Sequence, residues 1–380
     1  MLDNLHFDLY KYLIECGVLQ ERNPKIKGKH LICFLAVRDC GKSTSMWSFT
    51  KDYWTSSCFK DKAVYLRNSG VAIKKFIPTF NNANKNDYVM SEATINKIYV
   101  DENNKVIEKH DVGMVIPLSC SENYKSVISD DYHLMIWDEF NESDESIHNW
   151  NEAKDNHKLF KSFIDTLKTI ERHRDNFLVL LMGNKVSVDN DILLTFDIDA
   201  EDKDEDIIID RSMYIDNELF NIKFVIIGNK TFSHLNSHRT LANAIASFNS
   251  DTDRYLNKGG FLQKKYKNIK SWKSIKESTI PKYYFIFDEY YFEYGYYGDD
   301  TMYLHAVEYN DIIDNIPIIS LNLNGFMNNS QSQILDEDDY HDLMESLMKL
   351  IKSDKIFFTT NFSYQALKQI INNFILMGDF

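Results

Sequence analysis

The sequence predicts an α/β protein with a mostly parallel sheet, followed by a small linker module and a second, strand-rich domain. Over residues 1–230, short apolar runs alternate with longer helical patterns, which is typical of a parallel α/β domain. From residue 279 onward, closely spaced strands rich in tyrosine and phenylalanine precede two amphipathic helices. We therefore expect domains at residues 1–230 and 279–380, joined by a linker module at 231–278.

The predicted strands of the first domain are continuous apolar runs, as expected for strands covered on both faces. They are Leu31–Leu35, Ala63–Arg67, Leu134–Trp137 and Phe177–Met182. Residues 95–109 predict a hairpin that turns at Glu102–Asn104. Helical spacing predicts a helix over Lys158–Ile170, with an inner face made by Leu159, Phe160, Phe163, Ile164, Leu167 and Ile170. A further helix is predicted within 239–248, and the acidic run Asp197–Asp206 predicts a solvated loop.

Composition narrows the class of protein. A net charge of −14 and a pI near 5.3 argue against a protein that simply coats nucleic-acid phosphates, so any such contact must come from local basic patches. The sequence has no apolar run long enough to span a membrane and no signal peptide, so we expect a cytoplasmic protein. Five cysteines at spacings that fit no zinc site predict neither disulfides nor a structural metal.

The strongest motif is LICFLAVRDCGKSTSMWSF, in which an apolar strand leads through a short loop into a helical pattern. Such a loop surrounds nucleotide phosphates with backbone N–H groups, while Lys42 supplies a cation and the Ser43 hydroxyl binds Mg²⁺. Ala36 replaces the first glycine of this Walker A pattern, which requires a negative φ there. The predicted nucleotide-binding residues are Ala36, Val37, Arg38, Asp39, Cys40, Gly41, Lys42, Ser43 and Thr44.

A second motif, HLMIWDEF, brings an apolar strand to a pair of carboxylates, as in Walker B. Asp138 would hold Mg²⁺, and Glu139 would orient the water that attacks the γ-phosphate. A carboxylate pair at a strand end is common by itself, but its position after the lysine loop makes it specific. Together the motifs predict an ATPase of the additional-strand class, in which a further strand lies between the two motif strands.

Weaker signals follow these two motifs. Asn184 ends a predicted strand, where such ATPases place a polar sensor, although a turn asparagine is an equal alternative. The cluster at 171–174 ends the long helix, where cations are favoured by the helix dipole in any case. In a ring-shaped ATPase, an exposed arginine here, Arg172 or Arg174, would reach the γ-phosphate bound by a neighbouring subunit.

These segments resemble the DNA-packaging ATPases of phi-29-like podophages. The resemblance rests on AVRDCGKS, AVYLRN, GMVIPLS, MIWDEFNE, the helix with Ile164-Asp165-Thr166, the arginine cluster and GNKVSVDN, which occur in one order along most of the chain. It implies a homomeric ring, a pentamer, which docks on the portal (connector) protein of an empty procapsid in the host cytoplasm and pumps double-stranded DNA inward. It places Arg38 near the phosphates and implies a C-terminal RNase H-like domain with a vestigial nuclease. One branch of the family also uses a structural packaging RNA.

Two basic segments are candidate nucleic-acid contacts, with a solvated surface as the alternative for both. Lys74 and Lys75 would grip DNA phosphates from a pore loop, and the lysine run at 264–276 includes Lys264, Lys265 and Lys267.

Two other functions stay open at this point. A terminase-like motor with an active nuclease would need metal-binding carboxylates in the second domain, and their spacing singles out no triad among Asp288, Glu289, Glu293, Asp299, Asp300 and Glu308. A virion or scaffold protein that binds nucleotide without turnover would have no need for Glu139.

Overall fold

The structure is a computed structural model. It describes residues 7–37, 40–124, 131–140, 150–172, 174–185, 190–198, 204–228, 231, 268–298, 300–321, 332–333 and 337–376. The chain divides into two compact units, Met1–Asp144 with Lys158–Ser187 and Ala200–Gln263, and Glu145–His157 with Val188–Asp199 and Lys264–Phe380. The helix predicted within 239–248 lies outside the described residues, as does most of the predicted linker module.

Up to residue 231, helices and strands alternate as the sequence predicts. The elements are α1 (Leu9–Glu15), β1 (Lys29–Ala36), α2 (Lys42–Ser56), β2 (Lys62–Arg67), α3 (Gly70–Ala83), β3 (Tyr88–Met90), β4 (Thr94–Val100), β5 (Val106–Pro117), β6 (Tyr132–Asp138), α4 (Trp150–Glu171), β7 (Phe177–Asn184), α5 (Asp191–Thr195), β8 (Ile207–Asp210), β9 (Met213–Ile215) and β10 (Glu218–Ile226). All four predicted strands are present, and β4 and β5 form the predicted hairpin.

The strands of the first unit form one ten-stranded, mostly parallel sheet. Its order is β3-β4-β5-β2-β6-β7-β1-β10-β8, with β9 also paired to β10. The six adjacent strands β5, β2, β6, β7, β1 and β10 are parallel to one another, and antiparallel strands lie at both edges. Strand β7 therefore lies between β1 and β6, and all eight of its residues are buried. Because the carboxyl ends of parallel strands meet at one edge, residues that follow β1, β6 and β7 are brought together.

One predicted packing position is wrong. Helix α4 is longer than predicted and buries Phe163 and Ile170, but Ile164 is 43% exposed. Thr166 is buried in its place, so the inner face follows positions 163, 166 and 170 at a spacing of three and four residues. Ile164 lies one residue past the centre of that face and is therefore turned about 100° toward solvent.

The second unit has its own sheet and core. Its C-terminal elements are α6 (Trp272–Ile275), β11 (Thr279–Phe287), β12 (Tyr290–Tyr297), β13 (Met302–Val307), β14 (Ile318–Ser320), β15 (Ser332–Gln333), α7 (Glu337–Lys352), β16 (Ile356–Phe358) and α8 (Asn361–Leu376). Strands β11, β12 and β13 form the predicted antiparallel meander, and both predicted helices are present. The sheet order is β15-β14-β11-β12-β13-β16, and side chains of α7 and α8 pack with the sheet in one apolar cluster.

Candidate functional site

The described part of the loop between β1 and α2 includes a glycine in a left-handed conformation. Gly41 precedes the helix with φ 88° and ψ 15°, a left-handed conformation that glycine adopts without a steric penalty. Since glycine has no side chain to cap the helix, it leaves the N–H groups of the first turn of α2 to other acceptors. Ala36 ends β1 and does not have a positive φ, which is the condition under which alanine fits its position. Arg38 and Asp39 lie outside the described residues.

Lys42 connects this loop to the end of the neighbouring strand β7. Its side chain is buried, and Nζ donates hydrogen bonds to the carbonyl oxygen of Val37 at 2.6 Å and to Oδ1 of Asn184 at 2.9 Å. The predicted phosphate-binding lysine and the predicted sensor are therefore in direct contact. Ser43 and Thr44 follow in the first turn of α2, half-buried and exposed respectively.

The predicted acidic pair lies at the end of β6, beside a cation that the motifs did not contain. Arg67, the last residue of β2, donates from Nη2 to Oδ2 of Asp138 at 3.2 Å and from Nη1 to Glu139. The Tyr65 hydroxyl donates to the same Oδ2 at 2.9 Å and accepts from Nε of Arg67 at 2.9 Å. Asp138 is 2% exposed, so its carboxylate depends on these partners in place of water.

Burial and nearby cations shift the pKa of Asp138 in opposite directions. Burial raises the pKa of Asp138 above its ordinary value, and the Glu139 carboxylate raises it further. Arg67 and Lys42 lower that pKa, although not enough to cancel burial. Lys42 is bonded to Asn184 at the end of β7, and Asp138 is paired with Met182 of the same strand, so the lysine loop and the acidic pair lie at neighbouring strand ends although they are far apart in sequence.

The predicted magnesium ligands have the chemistry that this ion prefers. Mg²⁺ prefers oxygen ligands, and the Asp138 carboxylate and the Ser43 hydroxyl supply them. The raised pKa of Asp138 reflects a buried negative charge that a divalent cation would stabilise further. Within the described residues, no cluster of three or more His, Cys, Asp or Glu side chains forms a metal site made of protein ligands alone.

Glu139 has an unusual backbone conformation. Its φ is 59°, in the left-handed region, which costs a residue with a side chain about 1–2 kcal/mol. Residues held in such conformations often belong to functional sites. Here the turn directs the glutamate side chain to Arg67.

The sequence interpretation missed Tyr65 and Arg67, although AVYLRN was among the segments that carried the family resemblance. Their role depends on β2 lying next to β6 in the sheet, where Leu66 is paired with Trp137. A polar residue at the end of an apolar strand was the available signal. It gains meaning only when the strand order is known.

The two candidate trans arginines differ in exposure. Arg172 is exposed just after α4, whereas Arg174 is buried and donates from Nη1 to the carbonyl oxygen of Arg172 at 3.2 Å.

The candidate DNA-binding lysines are only partly described. Lys74 and Lys75 are exposed on α3, and Lys74 lies 3.4 Å from Glu92. Lys264, Lys265 and Lys267 lie outside the described residues.

Within the part of the chain that the structure describes, the candidate nuclease carboxylates of the second unit form no group of three that could hold a metal ion. Glu293 is buried in β12 and accepts hydrogen bonds from the hydroxyls of Tyr284, at 3.1 Å, and Tyr303. Asp288 lies in the turn before β12 with φ 53°, and Asp299 lies outside the described residues.

No protein-family model and no curated protein matches the sequence. Among solved structures, the chain is similar to the phi-28 gp11 DNA packaging motor, with 15% identity, 98% of each chain covered and a TM-score of 0.44. It is also similar to the N-terminal domain of the DNA packaging ATPase from bacteriophage phi29, with 20% identity and a TM-score of 0.37, over 57% of this chain and 96% of that one. Among the described residues, no helix is both long and apolar enough to cross a membrane.

Proposed function

We propose that this chain is an ATPase that drives the packaging of double-stranded DNA into a viral procapsid. The observation that supports this most is the convergence of Lys42 and Asn184 with Asp138 and Glu139 at the carboxyl edge of parallel strands. The residues come from three separate segments, and strand β7 lies between the two motif strands, as in the additional-strand ATPases predicted above.

In this proposal each residue has a defined role in hydrolysis. Lys42 and the N–H groups at the start of α2 bind the β- and γ-phosphates. Ser43 and Asp138 hold Mg²⁺, which neutralises phosphate charge when bound. Glu139 orients the attacking water and accepts its proton.

The contact between Arg67 and Glu139 affects when this chemistry occurs. A carboxylate that forms an ion pair with arginine is a weaker proton acceptor, because the pair stabilises its charged form. Glu139 therefore has to leave or share Arg67 when it engages water. Hydrolysis then depends on the distance between Arg67, at the end of β2, and Glu139, just after β6. A relative movement of these two strand ends would change the rate of turnover.

The packaging role is supported by sequence segments that belong to no general ATPase motif, namely GMVIPLS and GNKVSVDN, in the order found in phi-29-like packaging ATPases. The further proposals follow that resemblance: a homomeric ring, a pentamer, acting in the host cytoplasm and transiently at the portal vertex, with double-stranded DNA, the portal protein and, in one branch, a packaging RNA as partners. The RNase H-like assignment of the second unit is also a proposal, supported by an antiparallel meander that parallel strands extend. Arg172, which is exposed, is the better candidate for the trans arginine.

The proposal is tested by ATP hydrolysis and by assembly. Purified protein is assayed for Mg²⁺-dependent ATP turnover alone, with double-stranded DNA, and with DNA and procapsids. Co-sedimentation with procapsids, before and after ribonuclease treatment, identifies the portal contact and any RNA requirement. We expect turnover to rise when both partners are present. Bound ATP that is never hydrolysed under any of these conditions would contradict the proposal and favour a nucleotide-binding structural protein.

A further inference from the structure

The N-terminal segment, which consists of Phe7, Asp8 and the short helix α1, belongs to neither motif but is hydrogen-bonded on both sides of Lys42. The backbone N–H of Phe7 donates to the carbonyl oxygen of Cys40 at 2.8 Å. The backbone N–H of Leu9 donates to Oγ of Ser45, in the first turn of α2, at 2.9 Å. The N-terminal segment therefore contacts the loop at Cys40 and the first turn of α2 at Ser45, on either side of Lys42.

The bond to Cys40 fixes the direction of the next N–H group. A peptide unit is planar and trans, so its C=O and N–H point in opposite directions. Since the Cys40 carbonyl points to Phe7, the N–H of Gly41 points away from the N-terminal segment. In a phosphate loop, such N–H groups are the ones that bind the ligand. The position of Phe7 therefore sets the orientation of a group in the proposed nucleotide site.

Asp206 holds α1 in this position. Its Oδ2 accepts a hydrogen bond from the Tyr12 hydroxyl at 2.8 Å, and Tyr12 is 3% exposed. Its Oδ1 accepts from the backbone N–H of Gly228 at 2.9 Å and from the hydroxyl of Thr231 at 2.5 Å. Lys11 lies 4.0 Å from the same carboxylate. One side chain thus joins the N-terminal helix to the segment that follows β10.

The segment that follows β10 is itself fixed against the phosphate-loop strand. The N–H of Ile227 donates to the carbonyl oxygen of Leu35, in β1, at 2.9 Å. At Gly228 the backbone approaches so closely that an added Cβ would lie 2.3 Å from the carbonyl carbon of Glu205. Asp206, the residue after Glu205, is therefore held in place by the sheet. Its hydrogen bond with Tyr12 fixes α1 relative to the sheet.

The electrostatics keep this contact intact. A tyrosine hydroxyl is already protonated at neutral pH, and burial, followed by the hydrogen bond to Asp206, raises the pKa of Tyr12 further, so the hydroxyl stays a donor into the alkaline range. Phe7 stacks on Tyr12 with ring centroids 5.3 Å apart. A displacement of the Tyr12 ring would therefore displace Phe7, the residue that binds Cys40.

We propose that Asp206 is a positioning residue for the nucleotide site: through Tyr12 and Phe7 it orients the phosphate loop and thereby sets the affinity for nucleotide. This inference rests on the proposed function, because it assumes that the loop binds phosphates. It gives a defined role to the end of the acidic run, which sequence analysis assigned to a solvated loop.

The chain offers a matched pair of variants for the test. Tyr12→Phe removes the hydroxyl that binds Asp206 and keeps the ring that packs on Phe7. Tyr10→Phe removes a hydroxyl from the same helix, where it donates to Oδ2 of Asp52 at 2.8 Å. Both variants lose one bond between tyrosine and a carboxylate, but only Tyr12→Phe breaks the link to Asp206.

We measure the affinity for a fluorescent ATP analogue, steady-state turnover, thermal unfolding and amide hydrogen exchange at Phe7 and Leu9 without nucleotide. Tyr12→Phe is expected to weaken nucleotide affinity by roughly threefold to tenfold, the worth of one hydrogen bond. Its kcat should change by less than about twofold, because no group that touches the reacting atoms is lost. Both variants should lower the unfolding temperature by similar amounts, because each loses one hydrogen bond. In Tyr10→Phe the affinity for nucleotide should stay at the wild-type value. Asp206→Ala, which removes the acceptor of the Tyr12 hydroxyl altogether, should weaken affinity at least as much as Tyr12→Phe.

The proposal is overturned if the two tyrosine variants change affinity equally, or if neither changes it. If wild-type protein binds no nucleotide at all, the proposed function fails, and hydrogen exchange decides the positioning role separately. Faster exchange at Phe7 in Tyr12→Phe but not in Tyr10→Phe supports it, and equal exchange in the two variants refutes it.

Discussion

Replacing Arg67 by alanine tests whether the acidic pair depends on a cation outside the recognised motifs. The Arg67 side chain is 7% exposed and lies 3.2 Å from Oδ2 of Asp138, whose side chain is 2% exposed. The variant leaves that carboxylate buried without its closest cation. Removing one partner of a buried ion pair generally costs about 3–5 kcal/mol, because the remaining charge is not compensated.

We expect a loss near the lower end of that range. Glu139 is 34% exposed, so water replaces much of what Arg67 provides there, and the Tyr65 hydroxyl still donates to Asp138. A loss of about 3 kcal/mol corresponds to a fall in Tm of roughly 6–12 °C for a domain of this size.

The loss should depend on pH in a defined direction. Because Arg67 lowers the pKa of Asp138, its removal raises that pKa further above 3.8, the ordinary value. When the folded-state pKa of an acid exceeds its unfolded value, the folded protein binds the proton more tightly, and stability rises as the pH falls through the folded pKa. The difference between Arg67→Ala and wild type should therefore shrink as the pH is lowered from neutral through the raised pKa of Asp138.

Chemical denaturation at several pH values measures both effects, with Lys62→Ala as the control. Lys62 is on the same strand and lies 2.8 Å from Asp111, but these side chains are 20% and 45% exposed. A pair of this kind contributes at most about 1 kcal/mol. If Arg67→Ala is no less stable than Lys62→Ala, or if its loss of stability does not change with pH, the Asp138 carboxylate does not depend on Arg67.

Three further predictions concern nucleotide and DNA. Lys42→Ala should abolish ATP turnover and binding, because it removes the cation of the phosphate loop; turnover at the wild-type rate would contradict its role. Glu139→Gln should preserve Mg²⁺-ATP binding but slow hydrolysis by about 10²–10⁴-fold, the usual contribution of a general base; a single-turnover assay separates the two steps. Replacing Lys74 and Lys75 together by alanine should lower DNA affinity and reduce the slope of log affinity against log salt by about 0.9 per lost phosphate contact, with DNA-independent ATP turnover unchanged. An unchanged slope would mean that these lysines are only a solvated surface.

The strands, and the strand–loop–helix arrangement around Lys42, were predictable because their signals are local. Each central strand is an unbroken apolar run, and the loop around Lys42 is identified by the strand before it and the helix after it. The contact of Arg67 with Asp138 was not predictable, because it depends on which strands are neighbours, and hydrophobic periodicity carries no information on strand order. Ile164 shows the same limit for a helix: spacing identifies an apolar stripe, but packing partners decide which of its edges is covered.

The charges of the described site explain why it needs a further cation. Lys42 and Arg67 oppose the charges of Asp138 and Glu139, and the buried Lys185, whose backbone N–H donates to the carbonyl oxygen of Ala36 at 3.2 Å, adds a third cation next to the loop. These three cations exceed the two carboxylates by a single charge. ATP carries more negative charge than one Mg²⁺ cancels, and a chain with a net charge of −14 adds no general attraction. The N–H groups at the start of α2 contribute only partial charges. In the proposed motor, the remaining positive charge would come from Arg38 in the phosphate loop or from an exposed arginine, such as Arg172, of a second copy. Catalysis would then be strongest in the assembled ring, where that charge is supplied as the transition state forms.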